Sequence, residues 1–440
     1  MTLSQMVPMS EPCPDGDGPP LSNGPSVCVN GRCYRLPARP VAIICLDGCD
    51  PAYLREGLAA DELPAIARFA ATGFLGEADS AMPSFTNPNN LSLVTGLPPA
   101  GHGVSGNFYL DRTSGETVMV TGDAELRAPT VLAAMADAGI PTAVVTAKDK
   151  LRAALAKGLP IGPLGLAVSA ERASEARQAS HGLGDLPALV GREAPDPYSA
   201  DLSLFVLDAG LALLRGGRAR LLYLSLSDYV QHRHAPESTE ARAFMRAVDA
   251  RLGALAAEGC LVAATADHGM SDMALPDGRP NVLFLGDLLE ERFGTGAARV
   301  ICPITDPFVR HHGALGGFVR VHLGPSAPAR AELLTFLAAL PGIALALPGE
   351  EACARFEMPP EMEGNITVIA APGVALGARA VEHDLSRLAG ERLRSHGGLA
   401  ERRVPFLLSA LLDPVWLATR GPLRNYDILD AALNGTKARP

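Results

Sequence analysis

The chain has 440 residues, 48% of them hydrophobic and 20% charged, and a formal net charge of −10. That balance marks a globular protein, and an acidic chain without a basic patch speaks against a nucleic-acid polymer as partner. No run of about 18 apolar residues occurs, so no membrane span is expected. The first residues show no basic region leading into an apolar stretch, which points to a cytoplasmic location. At this length one large domain with a smaller inserted one is the natural expectation.

Residues 1–40 are read as a loose leader rich in Pro, Gly, Ser and Asp, followed by a small hairpin at VCVNGRCY, where Asn-Gly is the turn signal. A Cys28–Cys33 disulfide is not expected there, because disulfides are rare in a reducing compartment. From residue 41 short apolar runs alternate with helical stretches. VAIICL (41–46), TAVVTA (142–147), LLYLSL (221–226) and LVAATA (261–266) read as strands buried on both faces, as in a parallel sheet between helices. Residues 63–71, 129–139, 200–217 and 239–259 read as the helices, the last two ending at Gly. This alternation implies an α/β fold with a mostly parallel sheet sandwiched by helices. The rhythm changes after about 285. GFVRVHL, PARAELLTFLAAL and IALALPG read as strand, helix, strand, so 41–295 is taken as the first part of the core and 296–362 as an inserted α+β cap. The core is then expected to resume in 363–440, at NITVIAA, and to close with VPFLLS.

The polar residues cluster behind the apolar runs. Asp47, Asp228, and the pair Asp267 and His268 each follow a different one, and ligands of open α/β sheets bind beyond the carboxyl ends of strands. A single aspartate there would pass for a helix cap; three such placements would not. His232 stands four residues after Asp228, so both would share one helix face, while Gly269 offers freedom for a turn that lets neighbouring Asp267 and His268 reach one ion. His396 precedes two glycines. Three carboxylates and three imidazoles suit two divalent ions of the zinc type, with manganese or iron(II) as alternatives. Thr86, in SFTNPNN, stands at a probable helix start, where the ordinary role is an N-cap but metal coordination would make it a nucleophile. Cys45 and Cys49 flank Asp47, and the core reading is preferred for both. His102 reads as structural and His234 as outside the cluster; Arg310, His311 and His312 fall in the expected cap. Lys148 and Lys150 end the run TAVVTA at a helix start, where the dipole disfavours cations, which favours an anionic partner.

The ordered set LDG, FTNPNNLSLVTG, GHGVSGN, DYVQH, ADHGM and SHGG resembles the alkaline phosphatase superfamily, in the branch that holds nucleotide pyrophosphatase/phosphodiesterases and phosphonoacetate hydrolases. The resemblance covers about 40–285 and 363–410. It implies one metal on Asp228, His232 and His396, and a second on Asp47, Asp267 and His268 with Thr86 as nucleophilic ligand. It also implies Asn107 as a hydrogen-bond donor to a phosphoryl oxygen. In phosphonoacetate hydrolases a lysine pair matching Lys148 and Lys150 binds the substrate carboxylate. The implied activity is therefore cleavage of the carbon–phosphorus bond of a small anionic substrate, phosphonoacetate, to acetate and phosphate through a phosphothreonine. The alternatives are a nucleotide diesterase, a phosphoglycerate-mutase-like isomerase and a binder without activity. Self-association as a homodimer is left open.

Overall fold

The structure is a computed structural model and describes residues 24–305, 313–388 and 390–436. Its first elements are the expected hairpin, β1 (Ser26–Val29) and β2 (Arg32–Arg35), turning through Asn30 and Gly31 at positive φ. Cys28 lies directly opposite Cys33 and the two are joined by a disulfide, contrary to expectation. The expectation rested on compartment alone. The register of a two-residue turn puts the thiols face to face.

The four apolar runs form the centre of a seven-stranded sheet. β3 (Val41–Cys45), β4 (Phe74–Asp79), β5 (Thr142–Thr146), β6 (Gly165–Ser169), β7 (Leu221–Ser225) and β8 (Leu261–Thr265) are joined there by a late strand, Arg403–Leu408. β3, β5, β7 and β8 are buried at every position, and β8, β3, β7, β5 and β6 run parallel in that order. Helices are amphipathic where they cover this sheet. In Thr239–Ala257, the buried Ala241, Met245, Val248, Leu252 and Leu255 recur every three or four residues, and Ser238 caps the start by accepting from the Ala241 amide. Helix Thr86–Thr95 differs, being buried on all sides beyond its first residue.

A second sheet is antiparallel: β9 (Ala298–Ile301), β10 (Phe318–Leu323), β11 (Ile343–Pro348) and β12 (Ile366–Ala370), in the order β9-β10-β12-β11. Its core is Phe318, Val321, Ile366 and Val368 against Leu333 and Leu337 of helix Arg330–Ala339. β12 is the strand expected to resume the main sheet at NITVIAA; it pairs instead with β10 and β11. A short apolar run reads alike in either sheet, because periodicity reports burial and not the partner. The chain returns to the main sheet with β13 (Arg403–Leu408), antiparallel to β8 and β4, in the VPFLLS segment. Arg310, His311 and His312, with the leader up to residue 23, lie outside the described residues.

Candidate metal centre

Four parallel strands end on one line. Cys45 of β3 is in register with Ser225 of β7 and Thr265 of β8, and Ser225 with Thr146 of β5. Asp47, Lys148 and Asp267 each follow that line by two residues, and Asp228 and His268 by three. The carboxyl edge of the sheet thus gathers five polar side chains from sequence positions far apart. The turn behind β3 uses Gly48 at φ 68°, whereas Gly269, expected to free the turn behind β8, has no left-handed φ. His396 arrives from the second half of the chain. Arg394–Ser395 pairs with Ser271–Asp272, just beyond His268, and Gly397 at φ 116° lies so close to Phe85 that a Cβ there would come within 2.3 Å of its ring.

The three imidazoles share one polarity. His232 Nδ1 donates to the Arg394 carbonyl at 2.7 Å, His268 Nδ1 to the Gly269 carbonyl at 2.8 Å, and His396 Nδ1 to the Ser84 carbonyl at 2.8 Å. A carbonyl can only accept, so each Nδ1 carries a proton, and each Nε2 is the ring nitrogen left to face the cluster. Backbone partners that fix ring and tautomer in this way are the usual support of metal-binding histidine. The rings of His268 and His396 stack at 3.5 Å and 6°. Burial, then the nearby His268 and His232, hold His396 well below the usual imidazole range, so it stays neutral.

The carboxylates show the opposite need. Burial first, then Asp228 and Asp267, push the Asp47 carboxyl well above the ordinary carboxylate range, and its Oδ1 has no hydrogen-bond partner among the described residues. Buried like charges with spare lone pairs call for a cation. The donor atoms of Asp228, His232 and His396 lie within 4.8 Å of one another, as do those of Asp47, Asp228 and His268. Asp228 thus stands in both groups, where Asp267 was expected in the second. Asp267 Oδ1 accepts from the amides of Gly48 (3.2 Å) and His268 (3.0 Å), and Oδ2 from Asn90 Nδ2 (3.1 Å), while Oδ2 stays 3.7 Å from His268 Nε2. Mixed carboxylate and imidazole donors of this kind fit two divalent cations. The buried cysteines Cys45 and Cys49 belong to neither group.

Thr86 is the first helical residue, Phe85 being the cap, and its Oγ1 donates to His268 Nε2 at 3.0 Å. Lys148 precedes helix Asp149–Leu155, its Nζ donating to the Pro197 carbonyl at 3.1 Å and lying 5.0 Å from the Tyr198 ring centre, and its charge reaches the Asp47 carboxyl. Lys150 lies in the first turn of the same helix. Asn107 is one step removed: it is buried, and its Nδ2 donates to the Ile304 carbonyl at 3.4 Å.

The profile of the type I phosphodiesterase / nucleotide pyrophosphatase family matches residues 41–312. The phosphonoacetate hydrolase of Sinorhizobium meliloti 1021, solved with phosphonoformate, superposes with a TM-score of 0.90 at 45% identity, over 94% of this chain and 99% of that one. The chain belongs to this family, on its phosphonoacetate hydrolase branch. The same Sinorhizobium enzyme with phosphonoacetate gives a TM-score of 0.89 at 45% identity, over 94% and 99% of the two chains. A Penicillium oxalicum phosphonoacetate hydrolase is 62% identical over 37 residues, 8% of this chain and 51% of that protein's length. Murine ectonucleotide pyrophosphatase/phosphodiesterase 5, at 16% identity and a TM-score of 0.58 over 91% of this chain and 96% of that one, shares the fold.

Within this family's architecture, sequence reasoning missed the residues that brace the cluster. Asn90, one turn after Thr86, donates to Asp267 Oδ2 and to the Thr86 carbonyl, and its Oδ1 accepts from Tyr223 and Ser225 hydroxyls. Arg394 supplies the carbonyl for His232 and donates its Nε to the Gln231 carbonyl at 2.8 Å. The four-residue spacing from Thr86 to Asn90 was the available signal. His102 is structural as expected: buried, bonded to Ser92 Oγ at 2.9 Å and pushed down to about 3 by burial. No helix among the described residues is long and apolar enough to cross a membrane.

Proposed function

We propose that this enzyme hydrolyses phosphonoacetate to acetate and phosphate with two divalent cations, zinc by preference. Asp228, His232 and His396 would hold one cation, and Asp47, Asp267, His268 and Thr86 the other, with Asp228 near enough to both for its oxygens to be shared. The observation that carries this reading is the common polarity of the imidazoles, whose Nδ1 atoms donate to backbone carbonyls while Nε2 atoms turn toward the carboxylates and the Thr86 hydroxyl. The similarity to an enzyme crystallised with phosphonoacetate supports the substrate.

Bound cations would neutralise the carboxylates, favour the ionised threonine oxygen and offset charge on the phosphoryl oxygens. Thr86 Oγ1 then attacks phosphorus, forming an oxygen–phosphorus bond as the carbon–phosphorus bond breaks. The electron pair passes to the carbon beside the carboxylate and delocalises as an enediolate, which takes a proton to become acetate. Water releases phosphate from the threonine. Lys148 and Lys150 pair with the substrate carboxylate and the charge that grows on it, and Asn107 Nδ2 donates to a phosphoryl oxygen.

The test is turnover by zinc-loaded protein of phosphonoacetate, followed by acetate and phosphate release, beside a nitrophenyl nucleotide diester. Phosphonoacetate cleavage at least about a hundredfold faster, roughly 2.7 kcal/mol of transition-state preference, is expected. The reverse order would move the enzyme to the diesterases of its family.

A further inference from the structure

The segment that carries Asn107 is gripped from the second sheet. Arg320 of β10 is fully buried, and its guanidinium is bracketed by the equally buried Glu363, Nε to Oε2 at 2.9 Å and Nη2 to Oε1 at 2.8 Å. Its other bonds reach the catalytic core. Nη2 donates to the Ser105 carbonyl and to Ser105 Oγ, both at 2.8 Å, and Nη1 to the Phe108 carbonyl at 3.1 Å. Ser105 Oγ in turn donates to Glu363 Oε1 at 2.7 Å. The residues on both sides of Gly106 and Asn107 are thereby held by one rigid planar fork. Gly106 fits because a Cβ would meet Pro303 at 2.7 Å. The Asn107 amide donates to the Pro303 carbonyl at 2.8 Å, and its carbonyl accepts from Val120. Among the described residues, every acceptor of the fork outside Glu363 lies on Ser105 or Phe108.

The geometry points to Arg320, Glu363 and Ser105 as positioning residues that aim Asn107 at the phosphoryl group. A buried ion pair desolvates two charges and is a poor route to stability alone, so its worth lies in fixing that segment. The inference rests on the role proposed for Asn107.

Replacing both charges together, Arg320→Met with Glu363→Leu, avoids stranding one of them. The double variant has two readouts. The first needs no substrate: amide exchange at Asn107 and Val120 is expected to speed up by about tenfold while the seven-stranded sheet stays protected. The second is kinetic, on phosphonoacetate. We expect kcat to fall by about ten- to a hundredfold with KM nearly unchanged, since small displacements of a positioned group cost that much. In an Asn107→Ala background the same pair should cost less than about threefold. Ser105→Ala, a milder change, should move both readouts the same way by less. Unchanged exchange around Asn107, or an equal kinetic cost with and without Asn107, overturns the inference. A wild type inactive on phosphonoacetate would sink the functional reading instead, and the exchange result would still decide the grip.

Discussion

Two buried sets of charges in this molecule are built on opposite rules. At the carboxyl edge of the seven-stranded sheet, Asp47, Asp228 and Asp267 are gathered with three imidazoles, and burial together with mutual repulsion pushes the Asp47 carboxyl up. Beneath the second sheet, Arg320 and Glu363 are as deeply buried but balance each other, and the donors left over end on protein acceptors. Burial of charge costs several kcal/mol per ion unless it is compensated. The first set leaves its compensation to something bound; the second supplies its own. A ligand centre and a brace can thus be told apart by whether the local charge closes.

The largest effect expected from breaking this contrast is at the proposed nucleophile. Thr86→Ala removes the hydroxyl that bonds His268 Nε2 and should lower kcat by roughly four orders of magnitude or more, while metal content by elemental analysis stays near the wild-type stoichiometry. Loss of the metals with the activity would show Thr86 to be chiefly a ligand. At the brace the outcome is reversed. Glu363→Gln strands the Arg320 charge and should cost about 3–5 kcal/mol of stability, read by urea unfolding, with metal content preserved. A change under about 1 kcal/mol would mean that the guanidinium finds other acceptors.

Lys148 sharpens the comparison from the edge. It is the cation of the described edge whose charge reaches Asp47, and it lies over the Tyr198 ring at 5.0 Å. Lys148→Met should reduce kcat/KM for phosphonoacetate by about a hundredfold, close to 2.7 kcal/mol, yet leave a substrate without a carboxylate, such as a nitrophenyl phosphate ester, within about threefold. Equal losses on both would assign Lys148 to holding the cluster together.

These regions were unequally legible in the sequence. Asp47, Asp228, Asp267 and His268 could be sent to one edge because buried parallel strands are continuous apolar runs, and the first polar residues after such a run land at the sheet's carboxyl end. Phe74–Asp79 escaped notice as a strand because Gly76, Glu77 and Asp79 interrupt its apolar pattern. Ile366–Ala370 was seen as a strand but assigned to the wrong sheet, since pairing is decided by partners far away in sequence. The brace left no signal. In FVRVHL a period of two would turn Arg320 and His322 outward, yet both are buried, because their partners come from the Ser105 and Glu363 segments. The disulfide was misjudged because a compartment was inferred where a register should have been.

His322 gives the finest test. It sits two residues from Arg320 on β10, and its Nε2 has no hydrogen-bond partner among the described residues. Burial first, then the charges of Arg320, Arg112 and Arg299, push its pKa down to about 4 from the ordinary 6.5. In the unfolded chain it takes a proton below about pH 6.5, and in the folded protein only near 4. Between those values the unfolded state binds the extra proton, so stability is full above pH 6.5 and falls at up to about 1.4 kcal/mol per pH unit as the solution is acidified toward 4. The imidazoles at the candidate metal centre complicate any bulk acid titration, because release of bound cations would overlap the same range. A difference between two proteins removes that overlap. From urea unfolding at pH 7 and pH 5, His322→Leu should lose about 2 kcal/mol less than the wild type on the same acidification. Equal losses would mean that His322 is protonated inside the fold, and that the arginines around the brace do not share its surroundings.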